Sequence, residues 1–281
     1  MKHTLCAIAA IAGLLFSLRS SAQDTDDTAA HKKKKHWHEL AINSNGIMIL
    51  SKDSAKATKA TEDAHRFTVG YAMVDLGINL IADNTNYMNP AVKTYLDVPA
   101  NEQNKSLFDL RQGKSINVNI NPVMVKFKAL KTKNQRIYIS TGLGLQLYNF
   151  RYESPLTYTK NPSSVILDTI SFKKDKLGLD YLNVPLLFTF KTRLNKDNWL
   201  VYGVGITEGY LICSWTKQES GLRGKVKVYD AFGLANTNTC VSAEFGIEGA
   251  FRFFASYQLT SLYQNGLDQH PISFGLRFGG I

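Results

Sequence analysis

The chain of 281 residues has no apolar run long enough to cross a bilayer as a helix, which excludes a helical membrane domain. Cysteine is scarce, at three residues, and Cys6 lies too early to be a lipoprotein cysteine. Histidine is almost missing from the region that carries regular patterning, where His270 stands alone, so there is little material for a nucleophile and base pair. No internal repeat divides the chain, and one domain is the default reading.

What is present begins with an address. Lys2 and His3 precede an apolar stretch from Leu5 to Phe16, and Ser20-Ser21-Ala22 offers a small-residue cleavage site, so residues 1–22 read as a secretory signal peptide cut before Gln23. Removing Lys2 and Arg19 lowers the formal charge from +10 to +8, and much of the excess sits in Lys32-Lys33-Lys34-Lys35. An exported chain without a basic face interleaved with stacking aromatics is not expected to bind nucleic acid. The lysine tract reads as a solvated charge run, with attraction to anionic lipid headgroups as the sharper alternative.

Residues 23–65 read as a polar periplasmic extension. Within it, apolar residues flank Asn45-Gly46, a pair suited to a type I′ turn, so a small hairpin is expected there. His31, His36 and His38 lie beside the lysines, whose charge opposes metal binding, and no metal or other cofactor is assigned.

From residue 66 to residue 281 the chain alternates apolar and polar residues in segments joined by connections that are long, then short, then long. That rhythm predicts an all-β protein, an eight-stranded antiparallel up-and-down transmembrane β-barrel with Leu, Val, Ile and Phe facing lipid and Asn, Ser and Gly facing a packed interior. The expected strands run near Phe67–Leu80, Ser115–Phe127, Arg136–Tyr152, Leu177–Lys191, Trp199–Trp215, Thr239–Ile247, Phe251–Thr260 and Ile272–Gly279. A bulge is expected at Pro122, where the alternation slips. Short turns fall after the second, fourth and sixth strands, which assigns them to the periplasm and the connections near 82–112, 153–175, 217–237 and 264–270 to the outside. Parity leaves Glu208 facing lipid; a bulge turning it inward is the favoured explanation, and a proton or partner on the lipid face is the other.

Several segments together resemble the PorT-like outer-membrane β-barrel proteins. They are Val74-Asp75-Leu76-Gly77-Ile78-Asn79 with Asp83-Asn84-Thr85-Asn86-Tyr87, Gly113-Lys114-Ser115-Ile116-Asn117-Val118-Asn119, Asp180-Tyr181-Leu182-Asn183-Val184-Pro185, and Gly266-Leu267-Asp268-Gln269-His270-Pro271. The resemblance implies an outer-membrane location and a barrel, and the member that names the family assists a protein secretion system. It implies no active-site residues.

Candidate sites follow from parity. Asp75 and Arg277 face inward on strands that must meet when the barrel closes, and Glu244 with Arg252 extends them into a lumen charge network. Cys213 and Cys240 face inward at comparable distances from the loop between them, so a cross-strand disulfide is within reach. No catalytic residues are assigned, although Asp268, His270 and Ser273 define what an outer-membrane lipase, acyltransferase or protease would use. A soluble lipid-binding barrel would need the opposite faces, apolar within and polar without. The expectation is a non-enzymatic monomeric barrel that meets outer-membrane lipid and envelope or secretion-machinery proteins.

Overall fold

The computed structural model describes residues 39–43, 46–50, 66–69, 72–196 and 198–279. The signal peptide, the Lys32–Lys35 tract and His31, His36 and His38 lie outside the described residues. Eight strands form the wall: β1 (Met73–Asp83), β2 (Ile116–Lys131), β3 (Gln135–Arg151), β4 (Lys174–Arg193), β5 (Trp199–Ser220), β6 (Thr237–Ile247), β7 (Arg252–Gln258) and β8 (Gln269–Gly279). Each pairs antiparallel with the next, and β8 pairs with β1 from Gln269 opposite Asp83 to Gly279 opposite Met73. The sheet therefore closes on itself and has no free edge within the ring, the condition for a backbone to sit in hydrocarbon.

Side-chain alternation explains why these segments are strands of a barrel rather than of a water-soluble sandwich. On β4, Leu182, Val184, Leu186 and Phe188 point outward, with Leu182 47% exposed, while Tyr181, Asn183, Leu187 and Thr189 are buried. The same belt continues through Val204, Val241, Phe253 and Phe274, of which Val204 is 57% and Phe253 60% exposed. A soluble protein would not leave so continuous an apolar surface in water. Inside, Gly144 and Gly209 leave the space that the side-chain oxygens of Asn121 and Asn238 occupy, so a Cβ at either glycine would collide with them.

The first strand is interrupted. Phe67–Val69 pairs with Val125–Phe127 of β2, and the wall strand proper starts at Met73. The β2–β3 register shifts between Ile120 and Val123, at Pro122, whose missing N–H cannot serve the ladder. The extension contributes an antiparallel pair, Glu39–Asn43 with Gly46–Leu50, in which Asn43 opposes Gly46; Asn45, of the expected turn, lies outside the described residues.

Short turns join β2 to β3, β4 to β5 and β6 to β7, and the other connections fold at the opposite end. There β5 runs well past the wall and returns as Gly224–Tyr229, so most of the expected third loop is a hairpin. Helix α1 (Pro90–Tyr95) is capped by Asn89, whose side chain accepts from the Ala91 N–H. Short strands Leu96–Asp97, Leu156–Tyr158 and Val165–Leu167 make a small sheet beside it.

Candidate functional site

The lumen is filled by a charge network anchored on β1, β6, β7 and β8. Arg277 donates through Nε to Asp75 Oδ1 at 2.7 Å and through Nη2 to Asp75 Oδ2 at 2.9 Å, a bidentate pair. Its Nη1 donates to Glu244 Oε2 at 3.2 Å, and Arg252 Nε lies 3.2 Å from the same oxygen. Thr189 Oγ1 donates to Glu244 Oε1 at 2.9 Å, Asn119 Nδ2 donates to Asp75 Oδ2 at 3.1 Å, and Arg252 donates to the Gly279 carbonyl. Asp75 is 1% exposed and Arg277 4%. Two carboxylates and two guanidinium groups balance, which is what burial of charge demands.

The network plugs the barrel. The cavity it borders, with Asn119, Asn121, Gln146, Asn183 and Cys240, has a volume of about 20 Å³, room for about one water. Nearer the outer end, Asn238 Nδ2 donates to Gln146 Oε1 at 2.9 Å and Gln146 Nε2 donates to Tyr148 OH at 2.8 Å. Towards the end that carries the short turns, Lys191 Nζ pairs with Glu248 at 2.7 Å.

Above the lumen, the outer connections form a hydrophobic cap with its own core. Val92, Tyr95, Phe108, Tyr152, Leu156 and Tyr158 pack with Phe232, Leu262 and Tyr263, all buried. Phenol groups tie the connections together. Tyr158 OH donates to Tyr152 OH at 2.9 Å and lies 2.7 Å from Tyr263 OH, and Tyr95 OH donates to the Phe232 carbonyl at 2.6 Å. Residues from all four outer connections thus meet in one unit. Burial holds the phenols of Tyr95, Tyr158 and Tyr263 well above the ordinary tyrosine range, so they remain protonated donors.

Asp175 lies in this cap, beyond Leu182, the outermost lipid-facing leucine of β4. Burial pushes its carboxyl up to about 7, against the Leu156 N–H, Gln218 and the Arg111 charge, which favour ionisation. A cleft of about 510 Å³ opens between the outer end of β1 and the Lys105–Phe108 turn, with Asp83, Lys105, Asp109 and Glu153 on its walls. In the sequence these segments read as loops; the signal for a core is the density of Tyr, Phe, Leu and Val in segments without strand or helix periodicity.

Three expectations are corrected. Cys240 carries a free buried thiol, so the Cys213–Cys240 disulfide is not formed. Cys240 registers opposite Thr207 and Cys213 opposite Asp180, which separates them along β5 by roughly 20 Å at the rise of a strand. Equal sequence distances from the connection were misleading because β5 continues to Ser220. The bulge lies elsewhere than Glu208: Tyr181 opposes Leu211 and Asp180 opposes Cys213, so Ile212 is the extra residue. Glu208 faces outward and is partnered there, with Thr239 Oγ1 donating to its Oε2 at 2.6 Å. His270 stands on β8 rather than in a loop, its ring stacked on Tyr257 and its Nε2 2.8 Å from Asp268. Ser273 donates to Asn79 in the lumen, on the other face of β8, so these residues make no triad.

No protein-family model matches the sequence, and no curated protein does either. Among solved structures, Ail, the attachment invasion locus protein of Yersinia pestis, is similar at 11% identity and a TM-score of 0.25, covering 74% of this chain and 99% of that chain. A second structure of Ail, in complex with the heparin analogue sucrose octasulfate, is similar at 10% identity and a TM-score of 0.27, covering 75% of this chain and 98% of that chain. The overlay is loose, and the barrel assignment rests on this chain's own closed ladder.

Proposed function

We propose that this chain resides in the bacterial outer membrane as a non-enzymatic barrel and acts through the surfaces it presents at either end. The observation that carries this reading is the filled interior: the Asp75, Glu244, Arg252 and Arg277 network lies across the lumen beneath a folded cap, and the cavity it borders has room for about one water. The apolar belt supports residence in lipid, and the short turns support a periplasmic position for the ends of β1 and β8. The signal peptide and the extension over residues 23–65 fit export and a periplasmic contact. The resemblance to PorT-like proteins adds a finer role, an accessory to protein secretion, with the extension meeting the secretion machinery and the barrel itself monomeric.

Cross-linking in intact cells followed by purification from outer membranes tests the role. Recovery of envelope proteins that depends on residues 23–65 is the expected result; a barrel that fractionates with the cytosol, or a purified barrel that hydrolyses lipid or peptide substrates, would overturn it.

A further inference from the structure

The outward face of the wall does not end with the apolar belt. Above it, β3, β4, β5 and the hairpin strand Gly224–Tyr229 continue side by side, and their registers align four cations in one cross-strand row: Arg151 opposite Lys176, Lys176 opposite Lys217, and Lys217 opposite Lys227. The next row outward holds Lys174, Glu219 and Lys225. The row beneath holds Trp215 and Tyr229, and Lys227 Nζ lies 4.3 Å from the Trp215 ring and 4.6 Å from the Tyr229 ring.

Like charges placed directly opposite one another destabilise a sheet, so a fold has no use for this row unless something anionic meets it. Among the described residues, no ion pair joins Arg151, Lys176, Lys217 or Lys227 to a carboxylate. The acids that face the row are Glu219, which pairs with Lys174 at 3.5 Å, and Asp180, within electrostatic reach of Lys227. Burial, together with Arg151, Lys174 and Lys217, holds the Lys176 ammonium below its ordinary range, the mark of uncompensated positive charge. The inward face of the same strands is committed to the cap through Leu177, Leu179 and Val228, so only the outward face is available.

Height identifies the occupant. Along β4 the interval from Phe190 to Gly178 spans roughly 30 Å across the bilayer at the usual rise and tilt, the thickness of a hydrocarbon core. Trp215, paired with Gly178, therefore marks the outer interface, and the cation row stands about 5 Å above it, where headgroups begin. Four adjacent strands span about 14 Å, wide enough for more than one phosphate.

We infer that Lys176, Lys217 and Lys227, with Arg151, form a binding site for the phosphate groups of an anionic glycolipid in the outer leaflet that surrounds the barrel. Trp215 and Tyr229 pack against its sugar or upper acyl region. This inference rests on the proposed outer-membrane residence.

The test compares the full chain in detergent with a variant carrying Lys176→Gln, Lys217→Gln and Lys227→Gln, each titrated with bisphosphorylated lipid A, with the same lipid after dephosphorylation, and with inorganic pyrophosphate. The wild-type chain is expected to hold phosphorylated lipid A at least tenfold more tightly than either other probe, with affinity falling as salt rises. The variant is expected to lose at least tenfold, and Arg at the three positions to restore it. A control with Lys93, Lys114 and Lys160, exposed elsewhere on the outer connections, changed to Gln is expected to bind as wild type. Unchanged binding in the row variant, equal loss in the control, or equal affinity for the dephosphorylated lipid would overturn the site. Equal affinity for pyrophosphate would assign it to a soluble phosphate and overturn the lipid. Heat-modifiable gel mobility reports folding of each variant separately, so failure of the barrel reading is distinguishable from failure of the site. Because the row repels itself, the neutralised variant is expected to fold at least as well as the wild type.

Discussion

The lumen and the cap are packed on opposite principles. Between the walls, Asp75, Glu244, Arg252 and Arg277 satisfy one another, and asparagines lie where glycines leave room. In the cap, segments that have left the wall bury phenylalanine, leucine and tyrosine against each other and spend few charges. The difference follows from where water is. A barrel in hydrocarbon turns most of its apolar side chains outward and fills its centre mainly with polar ones, whereas connections in water must gather apolar residues inward to hold a shape. One chain therefore carries two cores of inverse composition, stacked end to end.

The sharpest way to break that contrast is to remove charge from the lumen. Arg277→Ala leaves Asp75 and Glu244 buried without their shared partner and is expected to cost about 3–5 kcal/mol, read as loss of the heat-modifiable band or a lowered urea midpoint. In the cap, Tyr158→Ala is expected to cost about 3 kcal/mol, and protease nicking of the outer connections with an intact barrel band is the readout. If the barrel band were lost as well, the two cores would not be independent.

Protonation separates the regions more finely. Asp175 has its carboxyl raised by burial to about 7, so between the unfolded value of 3.8 and that point the folded cap holds a proton that the unfolded chain has released. Cap stability should consequently fall as pH rises through that window and level off above it; Asp175→Asn should flatten the profile of protease resistance. Tyr158→Phe removes a hydroxyl and not a ring, and a loss of about 1 kcal/mol in cap stability is expected. The smallest effect concerns Cys240. Its thiol lies within 3.7 Å of Tyr148 OH, and alkylation of the Cys240 peptide only after unfolding, with Cys240→Ala shifting the midpoint by about 1 kcal/mol, would mark it as lumen packing.

The wall was legible because a period of two survives every local accident. Leu182, Val184, Leu186 and Phe188 announce one face of β4 without help from the rest of the chain, and the slip at Pro122 is written in the same alternation. An even number of such segments brings the last beside the first, and β8 pairs with β1. The cap had no such signal, since Tyr95, Tyr158, Phe232 and Tyr263 come from separate connections and are brought together only by tertiary contacts. The cysteines misled for a related reason: their level depends on how far β5 runs beyond the membrane and on the extra residue at Ile212, which no local pattern records. For the lumen charges, parity places the side chains inward, but which oxygen meets which nitrogen depends on the register across the closing pair.

The most direct measurement is the accessibility of spin labels placed singly at Leu186 and at Leu187, in a chain lacking other reactive thiols and reconstituted in vesicles. These neighbours lie on opposite faces of β4, with Leu186 exposed and Leu187 buried. The account predicts that the label at Leu186 collides with lipid-dissolved oxygen and not with a water-soluble nickel complex, while the label at Leu187 is shielded from both. A reversed pattern, or equal access of the nickel complex to both positions, would contradict it.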